Sequence, residues 1–342
     1  MPGPNKRVLW LDFIRAISIY FVLIIHNEIV LPNATTFAFG SIIASSVPLF
    51  VMISGVLLLN KKESYSVFFK KRANKVLIPW IFWTFIFMIW HIFVDHYDFN
   101  GFSISSLMNL FEKTLFNELW FLPMIFGIYL LTPPLKIFIQ NSKNKDIFYI
   151  ALIWFIAVCI MPAIHQNSTF PVYLSGIAGR VLQFTGYFIL GFALSKVRLP
   201  KHGLIITLFL LLFGIFCSVL EAFILPQYLG KIEGISYFDP GIVITSSGIF
   251  LFIKEVFSAY DRNIPDIYKK FIVLLSKTSL GIYIIHYLFM RITKPYIIVY
   301  FGFLKHLDPV FTGPVLALVF LIPCFFIIYL FQKLPFLKHI VP

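Results

Sequence analysis

The chain has 342 residues, of which 59% are hydrophobic and 13% are charged, and its mean hydropathy is +0.89. Because soluble domains are roughly half apolar and about a quarter charged, this composition excludes a soluble globular protein and indicates an integral membrane protein. The net charge of +13 would favour nucleic-acid binding in a soluble protein. In a membrane protein the placement of the positive charges matters more than their sum, and we expect no nucleic-acid partner.

Ten apolar segments are long enough, about 17 to 25 residues each, to cross a bilayer as helices. They lie at 9–31, 40–59, 76–94, 118–137, 147–164, 175–194, 203–225, 241–258, 271–291 and 311–331. We therefore predict an all-α polytopic membrane bundle of about ten transmembrane helices, forming a single domain over residues 1–342. The first segment is expected to be a retained helix, because no short apolar region with a small-residue cleavage site precedes it.

The lysines and arginines predict the orientation of this bundle. With ten crossings, 21 of the 28 positive residues lie on the side of the N-terminus, five lie on the opposite side, and Arg15 and Arg180 lie within segments. The positive-inside rule then places both termini in the cytoplasm. An odd number of crossings would destroy this asymmetry.

The first apolar segment carries two ionisable residues, Arg15 and His26, which stand eleven positions apart. On an α-helix that separation is about 1100° of rotation and about 16 Å of rise, so both side chains lie on one face. Asp12 lies near the same face and can pair with Arg15. Charged groups within a membrane helix usually face a bundle interior or a water-filled cavity, and we therefore expect Arg15 and His26 to be functional.

A basic cluster follows the second segment and contains Lys70, Lys71, Arg72 and Lys75. Arg72 and Lys75 have the i, i+3 spacing that places two side chains on the same side of a helix. One interpretation is a flank that fixes topology and contacts anionic lipid. The other is a clamp for a polyphosphate, and the residues alone do not separate the two.

The opposite end of the bundle is also polar. Besides His26, it is predicted to hold Glu28, Glu118, Arg180, Glu221 and His286. Arg180 shares a face with Gln183 and Tyr187, which favours a cavity wall over a side chain that extends to the interface. Glu118 and Glu221 can equally be solvated helix ends, and the His286 stripe with Ser279 and Tyr283 can equally satisfy hydrogen bonds between helices.

Nothing in the sequence indicates a metal site. Cys159, Cys217 and Cys324 lie in separate apolar runs and are interpreted as packing residues. His91 and His96 are five residues apart and so lie on different helix faces, unlike the ligand pairs of zinc helices.

Two connections between the apolar segments carry predictions of their own. The stretch DRNIPDIYKK within 259–270 is expected to form a short amphipathic surface helix. The outer loop 226–240 is either a cavity cap or an ordinary connector.

Five stretches together resemble the acyltransferase-3 family of membrane acyltransferases. They are Arg15 and His26 with ten residues between them, SVPLFVMISGVLLL at 46–59, the basic run from Arg72 to Pro79, ELWFLPMIFGIYLLTPPL at 118–135, and SLGIYIIHYLF at 279–289. Within the family, the chain resembles bacterial O-acetyltransferases of surface polysaccharides, of the enterobacterial-common-antigen and poly-N-acetylglucosamine types. It departs from close relatives at Glu118, often histidine there, and at Lys75, where the family motif has a second arginine.

The resemblance implies a multi-pass enzyme of the bacterial cytoplasmic membrane, surrounded by lipid, that passes an acyl group from cytoplasmic acyl-CoA to an extracytoplasmic glycan. Acetyl is the expected acyl group, and the assembly could be a homo-oligomer. The implied roles are catalysis by His26 and Arg15, donor binding by Arg72, Lys75 and Arg15, and acceptor binding by Glu118, Trp120, Arg180, Glu221 and His286.

The chemistry of His26 stays open at this point. A neutral imidazole can act as a general base on an acceptor hydroxyl, or it can carry the acyl group itself. Two other functions compete with acyl transfer. One is a carrier or flippase for polysaccharide or a small molecule, which would be favoured by inverted repeats or discontinuous helices; the other is a membrane scaffold or sensor.

Overall fold

The computed structural model describes residues 7–27, 33–96, 103–164, 176–223, 235–300 and 308–342, with side chains at all of these except 115–117 and 298–300. Within these ranges the chain forms fourteen α-helices. In chain order, α1 to α14 are Leu9–Ile25, Ala34–Ala44, Ser46–Leu59, Tyr65–Arg72, Ile78–Phe93, Ile104–Asn117, Phe121–Gln140, Asn144–Phe155, Met161–Ile164, Gly176–Lys196, Gly203–Phe223, Pro240–Tyr260, Asp266–Tyr300 and Pro309–Phe331.

Nine helical stretches among the described residues are long and apolar enough to cross a membrane. They are Ala34–Leu59, Tyr65–Phe93, Phe121–Gln140, Asn144–Ile164, Gly176–Lys196, Gly203–Phe223, Pro240–Asn263, Asp266–Ile297 and Pro309–Phe331. The first helix, α1, has 17 residues and packs against α3, α13 and α14 in the middle of the bundle. The all-α polytopic class is thereby confirmed, and α1 with these nine stretches corresponds to the ten predicted crossings.

The helices α3 and α10 approach each other backbone to backbone. A Cβ atom added at Gly55 would lie 1.9 Å from the carbonyl oxygen of Phe188, and one added at Gly191 would lie 2.4 Å from Cα of Met52. Small residues allow such contacts between membrane helices, where dispersion forces drive packing. This contact fixes α3, whose far end leads into the basic cluster.

A π-helical turn, Ala73–Leu77, joins α4 to α5. Because π turns add a residue to the helical repeat, they shift the side chains that follow, and they are frequent at functional sites. Arg72 ends α4 and Lys75 lies within the turn. The sequence gives no indication of this irregularity.

The expected surface helix at 259–270 is wrong. Instead of one separate helix, this segment contains a 3₁₀ turn, Asp261–Asn263, and the first residues of the 35-residue helix α13, which begins at Asp266. The reason is Pro265, which cannot continue a preceding helix but whose carbonyl accepts hydrogen bonds from the backbone N–H groups of Tyr268 and Lys269. Glu28 and most of the outer loop 226–240 lie outside the described residues.

Candidate active site

A cavity of about 1150 Å³ lies between α1, α3, α7 and α13, beside the basic cluster. One end is lined by Lys61, Lys62 and Glu63, and the other by Val22, Phe121 and Tyr283. Among its described lining residues are eight cations, namely Arg7, Arg15, Lys61, Lys62, Lys71, Arg72, Lys75 and Lys277, against one carboxylate. Such a cavity favours an elongated ligand with several negative charges.

Arg15 is held on the wall of this cavity by a buried carboxylate network. Asp12, 4% exposed, accepts hydrogen bonds of 2.6 and 2.8 Å from Arg7 and of 2.6 Å from the hydroxyl of Ser276. Arg15 donates to the same hydroxyl at 3.3 Å and lies 3.9 Å from Asp12. The expected pairing of Asp12 with Arg15 is present, but Arg7 and Ser276 are the closer partners, and sequence spacing did not indicate them.

Glu63 organises the mouth of the cavity. Its carboxylate lies 2.8 Å from Lys71, 3.5 Å from Lys61 and 3.9 Å from Arg72. Burial raises the pKa of Glu63, but the hydrogen bond from Lys71 and the charges of Lys61, Lys71 and Arg72 together lower it below its ordinary value. The mouth therefore keeps an ionised carboxylate that holds these cations close together.

Arg72 is further fixed by aromatic rings. Its guanidinium carbon lies 5.4 Å from the ring centre of Phe68 and 5.7 Å from that of Tyr129, distances that allow cation–π attraction. Its buried Nε atom has no hydrogen-bond partner among the described residues. Arg72 and Lys75, both predicted to bind the donor, line the same cavity as Arg15.

His26 and His286 lie next to each other beyond the end of this cavity that Tyr283 lines, and neither is among its lining residues. Their ring centres are 5.0 Å apart, and the ring centre of Tyr287 lies 6.4 Å from that of His26. Nδ1 of His286 contacts the backbone carbonyl of Tyr283. Since a carbonyl only accepts, Nδ1 carries a proton. The neutral ring then has its lone pair on Nε2, which is buried without a partner among the described residues.

Tyr283 connects this histidine pair to Glu118. The tyrosine lines the cavity, its ring centre lies 5.7 Å from that of His286, and its hydroxyl donates to the backbone carbonyl of Glu118 at 3.1 Å. The Glu118 side chain is buried and lies 3.3 Å from Nε2 of His91. Sequence analysis singled out neither Tyr283 nor His91 as functional residues.

Trp120 and Arg180 also come together. The Arg180 guanidinium carbon lies 4.6 Å from the ring centre of Trp120, and the ring centre of Tyr237 lies 5.8 Å from the same indole. Tyr187, which shares a helix face with Arg180, is fully buried and donates its hydroxyl hydrogen to the carbonyl of Tyr237. Tyr187 is therefore a packing residue of the bundle and not part of an open cavity wall.

Glu221 has a different setting. Its carboxylate accepts a 2.9 Å hydrogen bond from the backbone N–H of Gly241, in the first turn of α12. Carboxylates stabilise helix N-termini in this way. Acceptor binding by Glu221 stays a prediction, with a structural role as the alternative.

The described residues hold no group of three histidine, cysteine or acidic side chains that could bind a metal ion. All three cysteines are free thiols. What the region contains is a cationic cavity that ends beside two imidazoles.

Comparison with known proteins agrees with the sequence resemblance. No curated protein and no solved structure gives a significant match. A protein-family model described as an acyltransferase domain matches residues 8–332, nearly the whole chain and every motif named above. The chain therefore belongs to the acyltransferase-3 family of membrane acyltransferases.

Proposed function

We propose that the protein transfers an acetyl group from cytoplasmic acetyl-CoA to a hydroxyl of an extracytoplasmic glycan, such as a bacterial surface polysaccharide. The observation that carries the proposal is the cationic cavity leading from the basic cluster to Tyr283, beside His26 and His286. By the predicted orientation, its basic mouth faces the cytoplasm. The protein would reside in the bacterial cytoplasmic membrane.

The donor role suits the size and charge of the cavity. Coenzyme A is a long molecule with several phosphate charges at one end and a thioester at the other. Arg72, Lys75 and Arg15 would bind the phosphates or guide the arm, since charge-assisted bonds from arginine to phosphate are strong. Lys75 supplies charge without the bidentate geometry of arginine.

Two routes for His26 satisfy the same geometry. As a general base, it removes the proton from the acceptor hydroxyl while the oxygen attacks the thioester carbonyl, and the coenzyme leaves as a thiol after reprotonation. As a nucleophile, its nitrogen takes the acetyl group while the ring's N–H proton goes to the leaving thiolate, and the acceptor oxygen then takes the acetyl group from the imidazole while the hydroxyl proton returns to the ring. Both routes need a neutral ring.

The acceptor would be bound on the other side of the histidines. Glu118 and Arg180 offer charged hydrogen-bonding groups, the Trp120 indole offers a flat surface for a sugar ring, and His286 offers the lone pair on Nε2. Glu221 would contact a more distant part of a long acceptor. Lipid surrounds the bundle, and pairing of two copies is compatible with this arrangement.

The test supplies isotope-labelled acetyl-CoA to the cytoplasmic face of membrane vesicles that contain the host's envelope glycan. We expect label on the glycan from the wild type and none from His26→Ala at matched protein levels. Label that never reaches glycan would overturn the proposal. Passage of unmodified glycan across the membrane without acetylation would favour the carrier alternative instead.

A further inference from the structure

His91 lies at the centre of a buried charge network near the end of α5. The side chain is 1% exposed. Its Nδ1 atom is 2.6 Å from Oδ2 of Asp95, and its Nε2 atom is 3.3 Å from Oε1 of Glu118. The same oxygen of Asp95 lies 2.8 Å from Nη1 of Arg291. Arg291, Asp95, the His91 imidazole and Glu118 thus form one continuous chain of contacts.

This network closes on the histidine pair from two directions. On one side, Arg291 lies over the ring of Tyr287 at 5.8 Å, and Tyr287 meets the ring of His26 edge-on. On the other side, the backbone of Glu118 is bound by Tyr283, whose ring contacts His286. Glu118 is therefore connected to His286 through Tyr283. It is connected to His26 by the longer route through the charge network and Tyr287.

The arrangement dictates how the charges are distributed. Only Nδ1 forms a hydrogen bond, to Asp95, whereas Nε2 is buried without a hydrogen-bond partner among the described residues and faces Glu118 as an ion pair at 3.3 Å. Two carboxylates on either side of an imidazole favour its protonated form by their charge. Burial raises the pKa of Asp95, but its hydrogen bond to His91 and the charge of Arg291 lower it below the ordinary value. Lys113 adds a further positive charge that acts on His91. Removing one member leaves a buried charge unpaired, which is costly.

Glu118 has one oxygen left over. Oε1 faces His91, whereas Oε2 is buried and has no hydrogen-bond partner among the described residues. An ionised carboxylate oxygen accepts hydrogen bonds only, and leaving it unsatisfied in a buried place costs free energy. A hydroxyl group of a bound ligand would satisfy it.

We propose that His91 is a positioning residue that keeps Glu118 oriented so that its free oxygen accepts a hydrogen bond from a hydroxyl of the acceptor. This inference rests on the proposed function and assigns to Glu118 one hydroxyl group of the acceptor, bound on the side of Tyr283 and His286. Asp95 and Arg291 hold His91 from the opposite side.

The test measures the apparent KM for each substrate in membrane vesicles, with labelled acetyl-CoA as donor and the host's total envelope glycan as acceptor. His91→Leu is expected to raise the KM for glycan at least tenfold and to leave the KM for acetyl-CoA within twofold. His91→Gln, which keeps a donor toward only one of the two carboxylates, is expected to raise the KM for glycan less, about fivefold. His96→Asn is the matched control, because His96 is exposed and its left-handed φ of 49° suits asparagine.

A double-mutant cycle with Glu118→Gln distinguishes positioning from a general packing role. If His91 acts through Glu118, adding His91→Gln to Glu118→Gln changes the KM for glycan less than twofold. Independent, multiplicative effects would overturn the inference, as would equal effects on both substrates. Because His91→Gln and Glu118→Gln keep side-chain volume, the cycle stays decisive if His91→Leu fails to fold. A wild-type protein that acetylates no glycan would overturn the proposed function and this inference together.

Discussion

The rings of His26 and His286 lie 5.0 Å apart, tilted by 54°, although they belong to the first helix and to the last helix but one. The contact brings together one histidine near the end of α1 and one whose tautomer is set by the carbonyl of Tyr283. Such a pair can hold a single proton without the repulsion that two imidazolium ions would suffer. The pair therefore suits acyl transfer to a hydroxyl group.

His286→Asn is expected to lower kcat by about a hundredfold, within the range that general acid–base groups contribute. The asparagine amide can still donate to the Tyr283 carbonyl, but it has no basic nitrogen in place of Nε2. Steady-state kinetics at saturating acetyl-CoA measures the effect. A kcat and a KM for glycan that both stay within threefold of the wild type would mean that His286 only packs between helices.

His26→Ala is expected to abolish label transfer while leaving the amount of folded protein unchanged, since His26 is at the C-terminal end of α1 and not within its core. Incubation with labelled acetyl-CoA in the absence of glycan separates the two routes. Label bound to the wild-type protein and absent from His26→Ala would support an acyl-histidine, and its absence from both would support a general base. Glycan acetylation by His26→Ala at the wild-type rate would contradict both.

Arg72→Ala is expected to raise the KM for acetyl-CoA at least tenfold, because it removes a guanidinium that lines the cavity and that rings and Glu63 hold in place. Lys70→Ala is the matched control: it removes the same charge from an exposed neighbour that is absent from the cavity lining. Equal effects of Arg72→Ala and Lys70→Ala would favour the alternative of a simple lipid-contacting flank. Lys75→Arg, in contrast, is expected to be tolerated.

Sequence periodicity predicted what lies within one helix and little of what lies between helices. A shared face for Arg15 and His26 is predicted by 3.6 residues per turn, and in the structure Arg15 lines the cavity whereas His26 is not among its lining residues. Contacts such as His26 with His286 depend on how α1 packs against α13, which no local pattern specifies. The five-residue spacing of His91 and His96 predicts no metal site and no other role for His91. Its i, i+4 spacing to Asp95 was a usable signal for an ion pair, whereas the pairing with Glu118 was not visible.

Gly55→Ala is expected to destabilise the fold strongly, because the added methyl group would lie 1.9 Å from the Phe188 carbonyl oxygen and the backbones of α3 and α10 would have to separate. Overpacking typically costs about 1–3 kcal/mol and sometimes more. Gly127→Ala is the comparison, since its methyl group would meet a side-chain methyl of Val181 at 2.4 Å, which can rotate away. Thermal unfolding in detergent should show the larger decrease for Gly55→Ala.

Glu63→Gln is expected to lower stability at neutral pH and to have no effect in acid. The folded-state pKa of Glu63 lies below its ordinary value of 4.5, so its ionised form stabilises the folded state above that pH. As the pH falls through the folded-state pKa, the carboxylate is protonated and the wild type loses this advantage. Unfolding temperatures of the two proteins should therefore differ at pH 7 and converge in acid. Glu112→Gln, at an exposed position of α6, is the control. A difference for Glu63→Gln that persists unchanged in acid would show that the charge of Glu63 does not stabilise the mouth.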